Sequence, residues 1–220
     1  MSSGPVAAKR PYDARRRRER AAEERRATRA RVLEAATRLF VAQGYTATTM
    51  AEIAREAGVA MQSVYTAGRS KADLLHAAVG LAVAGDDQQV LVHERAGFAD
   101  LADEPDPVRQ VEMIADMICD IQERSAPIQM AYREAAAVDA SVAAGVEEAH
   151  RRRRETFGVV VNMLPADRLR HSPEESTDTM WALGSTEALL LLRNVLGWTW
   201  PQIRTWLART LEELLLQPEA

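Results

Sequence analysis

Apolar residues recur at the three- and four-residue spacing of a helix along nearly the whole chain, and this periodicity restricts the fold more than any other feature. Val32, Ala36, Leu39 and Phe40 form the first such face, and similar faces return up to the C-terminal end. Runs that alternate apolar and polar residues, the pattern of a half-buried strand, are few. The sequence therefore predicts an all-α fold of about nine helices.

Glycines, prolines and capping residues set the expected ends of these helices. Gly44 is expected to stop the first long helix, and the segment 97–106 forms a break. Pro127 is expected to close the helix that begins near Val108. The remaining helices are predicted at about 128–139, 141–164, 174–196 and 200–216.

Residues 49–66 predict two short helices joined by a tight turn. Thr49 and Glu52 have the spacing of a capping box, so a helix is expected to begin there, and Gly58 is expected to end it. A second helix follows over about 60–66. Helices joined by such a turn cross steeply, so the first can brace on a phosphate backbone while the second enters a major groove.

Three side chains near the start of the second helix are candidates for contacts with DNA bases. Gln62 can pair with an adenine through two hydrogen bonds, Ser63 can reach a base or a phosphate, and Met61 can touch a thymine methyl group. A packed helical corner without a ligand is the alternative interpretation of the pattern. The other candidates for this surface, several of them expected to bind phosphates, are Thr48, Thr49, Ala60, Tyr65, Thr66, Arg69 and Lys71.

Charge is distributed unevenly along the chain. Residues 1–75 hold 15 Lys and Arg against 8 Asp and Glu, a net charge of +7, whereas residues 76–220 have a net charge of −11. This asymmetry favours a nucleic-acid partner for the N-terminal part only. Residues 1–22, which include the run Arg15–Arg18, are expected to form a mostly disordered tail that adds non-specific affinity for phosphates. An arm that reaches into a minor groove is the alternative.

A dense set of short motifs marks the segment 31–75. They are F-x-x-x-G-Y at 40–45, T-T-M at 48–50, I-A at 53–54, A-G-V at 57–59, V-Y at 64–65 and S-K-x-x-L at 70–74. In this order and spacing they resemble the DNA-binding domain of TetR-family transcriptional repressors. The resemblance implies a three-helix helix-turn-helix domain over residues 23–70, followed by an effector-binding and dimerisation domain over residues 71–220.

Two positions depart from the family pattern. The family usually has an aromatic residue or histidine where this chain has Ala67, and phenylalanine where it has Gly68. One phosphate contact and one core anchor are therefore expected to be missing, and Gly68 is expected to end its helix early. Arg69 and the arginine-rich tail are candidates to restore affinity for the DNA backbone.

The C-terminal helices carry a second resemblance. W-x-L-x-S-x-E at 181–187, G-W at 197–198 and W-L-x-x-T-L at 206–211 resemble the ending of a subset of TetR-type regulators. In the family, the last two helices usually pair with their copies in a second subunit. The resemblance implies a homodimer, with an interface expected to include Leu189, Leu192, Trp206, Leu207 and Leu211.

Methionines and aromatic residues of the middle helices are candidates for a ligand pocket. As a group they favour an apolar or aromatic small molecule, although each alone is more typical of a plain core. Arg133 or His150 can add a polar contact. The candidate ligand-binding residues are Met113, Met117, Met130, Tyr132, Phe157 and Trp181.

Motifs of enzymes are incomplete in this sequence. The segment 86–90 begins like an aspartate-rich metal-binding box but ends in valine, and His93-Glu94 is followed by Gly97 where a zinc protease motif needs histidine. We therefore expect no catalysis, cofactor or metal. The second arginine run, Arg151–Arg154, is expected to be a solvated helix face with local ion pairs, because consecutive helical residues point in different directions.

These patterns together predict a cytoplasmic, homodimeric transcriptional regulator. It is expected to act as a repressor that a small apolar or aromatic molecule releases from a palindromic operator, with activation as the alternative. Two other classes stay open: an architectural DNA-binding dimer without an effector cavity, and a helical enzyme.

Overall fold

The computed structural model describes residues 14–85 and 96–218, and within these ranges the chain is helical and contains no strand. An isolated antiparallel bridge joins Leu169 to Leu216. The all-α prediction is confirmed. The helices are α1 (Ala14–Ala47), α2 (Met50–Ala57), α3 (Met61–Ala67), α4 (Lys71–Ala84), α5 (Ala96–Asp103), α6 (Pro107–Ala136), α7 (Ala140–Val161), α8 (Pro173–Leu183), α9 (Thr186–Leu190) and α10 (Trp200–Leu215).

The first helix differs from the prediction at its start and agrees with it near its end. It begins at Ala14, so residues 14–22, which composition assigned to a disordered tail, are its first turns. Alanine, arginine and glutamate fill these turns, and all three favour helix. Gly44 interrupts α1 with φ 79° and ψ 170°, in the position where the sequence placed the stop. Residues 1–13 of the expected tail lie outside the described residues.

Pro127 does not end a helix, contrary to the prediction. It lies inside α6, which continues to Ala136. Its ring is on the exposed side, whereas the neighbouring Ala126 and Ile128 are buried. Because apolar contacts hold both halves of α6, packing offsets the one backbone hydrogen bond that proline removes.

The structure also corrects two other boundaries. The predicted break at 97–106 contains α5, whose Phe98 and Leu101 lie one turn apart and are both buried. The helix predicted over 174–196 is divided near Gly184, because the Ser185 side chain accepts a hydrogen bond from the Ala188 amide and starts α9. After α9, residues 191–195 form a wider π-helical turn.

Two buried clusters hold the molecule together, and the long helices α6 and α7 contribute to both. The first cluster joins α1–α4 to the C-terminal part of α6 through Ile128 and Tyr132. The second joins α5, the N-terminal part of α6, α7, α8 and α10 around Met180 and Leu207. The N-terminal helices therefore do not have a separate core, since α6 packs directly against them.

A search of the described helices for a membrane span finds none that is both long enough and apolar enough.

Candidate functional site

Helices α2 and α3 form the helix pair predicted from residues 49–66. Thr49 and Glu52 make both hydrogen bonds of a capping box, so α2 begins at Met50. Gly58 ends α2 in the left-handed region with φ 64°, and its amide donates to the Ala54 and Arg55 carbonyls. The chain then turns sharply enough for α3 to begin three residues later. This local chemistry sets the crossing of the two helices.

One face of α3 is buried and the other is exposed. Val64 is fully buried in the first cluster and fixes the helix against its neighbours. Met61, Gln62, Tyr65 and Thr66 are exposed, and the Thr66 hydroxyl donates to the Gln62 carbonyl over 2.8 Å. Among the other candidate DNA contacts, Thr49, Ala60 and Arg69 are exposed and Ser63 is partly buried.

Two of the candidate DNA contacts are engaged within the protein. Thr48 is fully buried, and its hydroxyl donates to the Gly44 carbonyl over 2.8 Å. The Lys71 ammonium donates to the Tyr45 carbonyl over 2.7 Å and lies 4.2 Å from the centre of the Tyr45 ring. The hydrogen bond of Thr48 stabilises the kink at Gly44, and the hydrogen bond of Lys71 joins the start of α4 to the same kink.

Gly68 ends α3, as the sequence predicts, but its φ of −161° is extended backbone that any residue adopts. What requires glycine is the close approach of Leu74. A Cβ at position 68 would lie 2.7 Å from Leu74 Cδ2 and 3.0 Å from the Leu74 backbone nitrogen. Leu74 is fully buried, so it occupies space that the expected phenylalanine would need.

Tyr45 connects the kink of α1 to the start of α7. Its hydroxyl donates to Asp139 Oδ2 over 2.6 Å, and Asp139 is the N-cap of α7. Burial, followed by the bond to Asp139, raises the pKa of Tyr45 far above its usual value. Hydrogen bonds from Ser141 and then Tyr45 lower the pKa of Asp139 to about 2. Lys71, Tyr45 and Asp139 therefore form a continuous polar link between α4 and α7.

A cavity of about 800 Å³ lies between α4, α6, α7 and the beginning of α9. Its apolar wall includes Val79 from α4, Met117 and Ile118 from α6, and Phe157 and Val160 from α7. This volume is within the range of small-molecule sites.

Close packing of three residues shapes one end of the cavity. The His76 ring meets the Tyr132 ring edge-to-face at 5.0 Å between centroids, and His76 Nδ1 lies 2.7 Å from the Ala72 carbonyl. A Cβ at Gly145 would overlap His76 Nε2 and the Tyr132 hydroxyl. Glycine at 145 therefore lets α4 approach α7 beside the cavity.

A network of uncharged polar side chains lines another part of the wall. The Thr186 hydroxyl lies 2.9 Å from both Gln122 Oε1 and Gln129 Oε1. The Gln122 amide donates to the Gly184 carbonyl over 3.0 Å, and the Gln129 amide donates to the Ser125 hydroxyl over 2.7 Å. The break between α8 and α9 thus supplies to the cavity wall the Thr186 hydroxyl and the Gly184 carbonyl, which accepts the hydrogen bond from Gln122.

Arg153 is a cavity residue that the sequence prediction missed. The prediction of a solvated face with local ion pairs fits Arg151, Arg152 and Arg154, which are exposed and pair with carboxylates. Arg152 also contributes to the cavity wall, whereas Arg153 lines the cavity with only carbonyl partners among the described residues. A helical-spacing test would have found it, since Val146, His150, Arg153, Phe157 and Val160 share one face of α7.

Half of the candidate ligand-binding residues line the cavity: Met117, Tyr132 and Phe157 do so, together with the polar candidates Arg133 and His150. Met113 and Trp181 pack instead against the second cluster, and Met130 is exposed on α6. Trp181 stays close to the cavity, because its indole nitrogen donates to the His150 carbonyl over 3.3 Å.

Three of the candidate dimer residues have no surface to offer a partner. Leu189, Leu207 and Leu211 have 0% exposure, because they form part of the second cluster of their own chain. Leu192 and Trp206 are partly buried. The large apolar side chains of this region that are exposed are Leu191, Val195 and Leu196 after α9, and Leu214 on α10.

Neither incomplete enzyme motif can be located, because residues 86–95 lie outside the described ranges. Within those ranges, no group of three or more His, Cys, Asp or Glu side chains is placed to hold a metal ion. Cys119 is buried, and burial raises the pKa of its thiol to about 11.

Comparisons with known proteins agree with this architecture. Residues 32–78 match the family model of the bacterial regulatory proteins of the tetR family. No curated protein matches the sequence. Among solved structures, the fold is similar to NalD of Pseudomonas aeruginosa, the secondary repressor of the MexAB-OprM multidrug efflux pump. That match has a TM-score of 0.65 at 19% identity and covers 90% of this chain and 100% of the other.

Two further structures have the same fold. A transcriptional regulator of Saccharomonospora viridis in complex with choline has a TM-score of 0.64 at 17% identity, covering 86% of this chain and 98% of the other. A tetR-family regulator of Mesorhizobium loti has a TM-score of 0.66 at 16% identity, covering 87% and 98%. The matched domain contains the exposed helix α3, and the rest of the chain has the fold of these regulators. Residues 32–78 are therefore similar to the bacterial regulatory proteins of the tetR family, and the chain as a whole has the fold of these solved regulators.

Proposed function

We propose that this protein is a homodimeric repressor that leaves a palindromic operator when a small molecule occupies the cavity. The observation that carries the proposal is the position of α4. This helix begins directly after the DNA-binding helices, and its residues from His76 to Ala84 include much of one cavity wall. A ligand in the cavity therefore contacts the helix that holds α3 in place.

The polar link through Tyr45 adds a second connection. Lys71 at the start of α4 and Asp139 at the start of α7 both bond to Tyr45. Since α4 and α7 both line the cavity, a ligand that changes their separation also changes the support of the kink before α2. A ligand can shift the protein away from the DNA-bound state only through a difference in its affinity for the two states.

In the proposed complex, α3 is the reading helix and lies in the major groove. Gln62 and Met61 contact bases, and Tyr65, Thr49 and Arg69 contact phosphates. Two such helices in a dimer read half-sites separated by about 34–36 Å or a multiple of it. Because the reading helix acts on DNA, we place the protein in the cytoplasm.

We propose that the dimer forms through an apolar patch around the turn after α9. Leu191, Val195 and Leu196 are 59%, 71% and 62% exposed, which is unusual for side chains of this size. Trp206 is partly buried, and its ring lies 6.2 Å from that of Trp198. This patch replaces the three buried leucines as the centre of the proposed interface.

The fold relatives support both halves of the proposal. One of them is a repressor, and another has a small molecule bound. An architectural DNA-binding protein would have no use for a cavity of about 800 Å³, so the cavity favours an effector-controlled regulator.

The operator is tested by selecting bound sequences from a random DNA pool. We expect one enriched palindrome, and we expect its insertion over a promoter to lower reporter expression when the protein is present. Higher reporter expression would indicate that the protein is an activator and not a repressor. Failure to enrich any sequence would contradict sequence-specific reading.

The dimer is tested with Val195→Asp and Leu196→Asp together. A charge on each subunit at the centre of an apolar interface is expected to yield monomers by light scattering and to weaken binding to the palindrome. The control is Val138→Asp, since Val138 is 67% exposed on the loop between α6 and α7. A double variant that stays dimeric would move the interface elsewhere.

A further inference from the structure

The four consecutive arginines of α7 do not have equivalent surroundings. The three exposed arginines all have carboxylate partners: Arg151 and Arg152 pair with Glu148, and Arg154 pairs with Asp178. For Arg153, the hydrogen bonds within the described residues go only to the carbonyls of Gly184 and Trp181, over 3.1 Å and 2.9 Å. Carbonyl oxygens accept hydrogen bonds but do not neutralise a charge.

The guanidinium of Arg153 is mostly buried in an aromatic setting. Its central carbon lies 4.9 Å from the Trp181 ring centre and 5.7 Å from that of Phe157. Burial, and then the charge of Arg133, lower the pKa of Arg153 to about 10, so it keeps its positive charge at neutral pH. A buried charge of this kind is costly unless a counter-charge lies beside it.

The acidic side chains of the cavity wall are already engaged elsewhere. Glu187 pairs with Arg133, and Glu148 accepts hydrogen bonds from Arg151 and Arg152. Burial, followed by the charges of Arg153 and Arg133, lowers the pKa of His150, which keeps this ring neutral. The described wall therefore has an excess of positive charge at Arg153.

Most of the remaining wall is apolar. Val79, Ile114, Met117, Ile118 and Val160 line the same cavity as Arg153. An apolar body fits this wall, and one acidic group at its end fits Arg153, because guanidinium binds a carboxylate through two parallel hydrogen bonds.

We infer that the effector is an amphipathic anion, with a single carboxylate that pairs with Arg153 and an apolar body that fills the cavity. This inference rests on the proposed role of the cavity as the effector site. It also separates this protein from its choline-bound relative, since a quaternary ammonium ion would meet the unneutralised guanidinium.

The test uses matched probes on the full-length protein. Decanoate, decanol and decyltrimethylammonium share one apolar chain and differ in charge, and naphthoate and naphthol repeat the comparison with an aromatic body. Calorimetry and the thermal unfolding midpoint report binding to the native state. We expect at least one of the two acids to bind, and to bind more tightly than its alcohol, whereas the cation does not bind.

The decisive variant is Arg153→Met. We expect it to lower the affinity for the acid about tenfold to a hundredfold, the effect of a charge-assisted hydrogen-bonding pair, while the affinity for the alcohol stays the same or rises. Arg154→Met is the matched control, because Arg154 is adjacent, exposed and paired outside the cavity. Arg153→Lys keeps the charge and should retain part of the affinity.

Three results would overturn the inference. These are the failure of both acids to bind, equal affinity of an acid and its alcohol, and unchanged acid affinity in Arg153→Met. Unchanged alcohol binding shows that the variant is folded. Operator release is measured separately: an acid that binds through Arg153 without releasing DNA contradicts the proposed function alone. If the alcohol or the cation releases the operator instead, the result contradicts the inference of an anionic effector but not the proposed function.

Discussion

Helix α3, the proposed reading helix, directly precedes α4 in the chain, and the cavity lining begins within α4 at His76, but the chain builds these two regions in different ways. α3 is seven residues long and is fixed by one fully buried side chain, Val64. The cavity is enclosed by residues from His76 to Glu187 that come from five helices. The exposed face of α3 can therefore change without affecting the fold, whereas a change in the cavity wall alters both binding and packing.

The largest effect on stability is expected for Gly145→Val. The new side chain would overlap His76 and Tyr132, and moving His76 disturbs its contact with the Ala72 carbonyl. We expect a loss of about 1–3 kcal/mol in the free energy of unfolding, measured with urea.

Gly80→Ala is the matched control for this change. Gly80 is also a cavity residue within a helix, but a Cβ there meets no atom of the described residues within 4 Å. Alanine should therefore stabilise α4 by up to about 1 kcal/mol. If both substitutions change the free energy of unfolding in the same direction, the close packing at Gly145 does not control stability.

The next effect is confined to DNA recognition. Gln62→Ala should cost about 1–3 kcal/mol in discrimination at one base position while leaving the free energy of unfolding within about 0.5 kcal/mol of the original. Tyr65→Phe should weaken binding to the selected operator and to scrambled DNA alike. Equal losses on both DNAs for Gln62→Ala would remove its role in base reading.

The N-terminal part of the molecule, residues 14–71 (the head), could largely be predicted from the sequence, because local interactions determine its helix ends. Thr49 and Glu52 lie three residues apart, Gly58 needs only its own backbone freedom, and Val64 follows from helical spacing. The family resemblance then supplied the function of the surface. The inward positions of Thr48 and Lys71 required the structure, since the groups that engage their side chains are the Gly44 and Tyr45 carbonyls at the kink. The helical start of α1 at Ala14 and the contact of Gly68 with Leu74 required it as well.

The rest of the molecule, residues 72–85 and 96–218 (the body), was harder to predict, because its structure depends on contacts between residues that are far apart in the sequence. Pro127 would end an isolated helix, but buried neighbours on both sides keep α6 continuous. Leu189, Leu207 and Leu211 have the pattern of an interface and of a core alike, and only the position of α6 distinguishes the two. The cavity itself is a gap between helices, and no single segment encodes it.

A smaller effect is expected from removing residues 1–22. Arginines in the first turns of α1 extend the basic surface of the head, so their loss should weaken DNA binding more at low salt than at high salt. The slope of affinity against salt concentration measures this. The free energy of ligand binding in the cavity should not change. If the truncated protein binds DNA as tightly as the full-length protein at both salt concentrations, residues 1–22 make no contact with DNA.

The smallest effect concerns the link between the two regions, and it depends on pH. The folded pKa of Asp139 is about 2, below the unfolded value of about 3.9. The folded state therefore favours the ionised carboxylate, whose contribution to stability is complete above about pH 4 and is lost as the pH falls toward 2. Asp139→Asn should make the free energy of unfolding less dependent on pH in this window.

Two further variants separate capping from coupling. Ser141→Ala removes the largest cause of the low pKa, and Tyr45→Phe removes the second, so both should flatten the same pH dependence, Ser141→Ala more strongly. Only Tyr45→Phe breaks the bond between the head and α7. It should therefore reduce the ligand's effect on operator affinity, although Tyr45 is buried away from the exposed face of α3 and does not line the cavity. If Ser141→Ala reduces that effect equally, the start of α7 couples the two regions through its own stability and not through Tyr45.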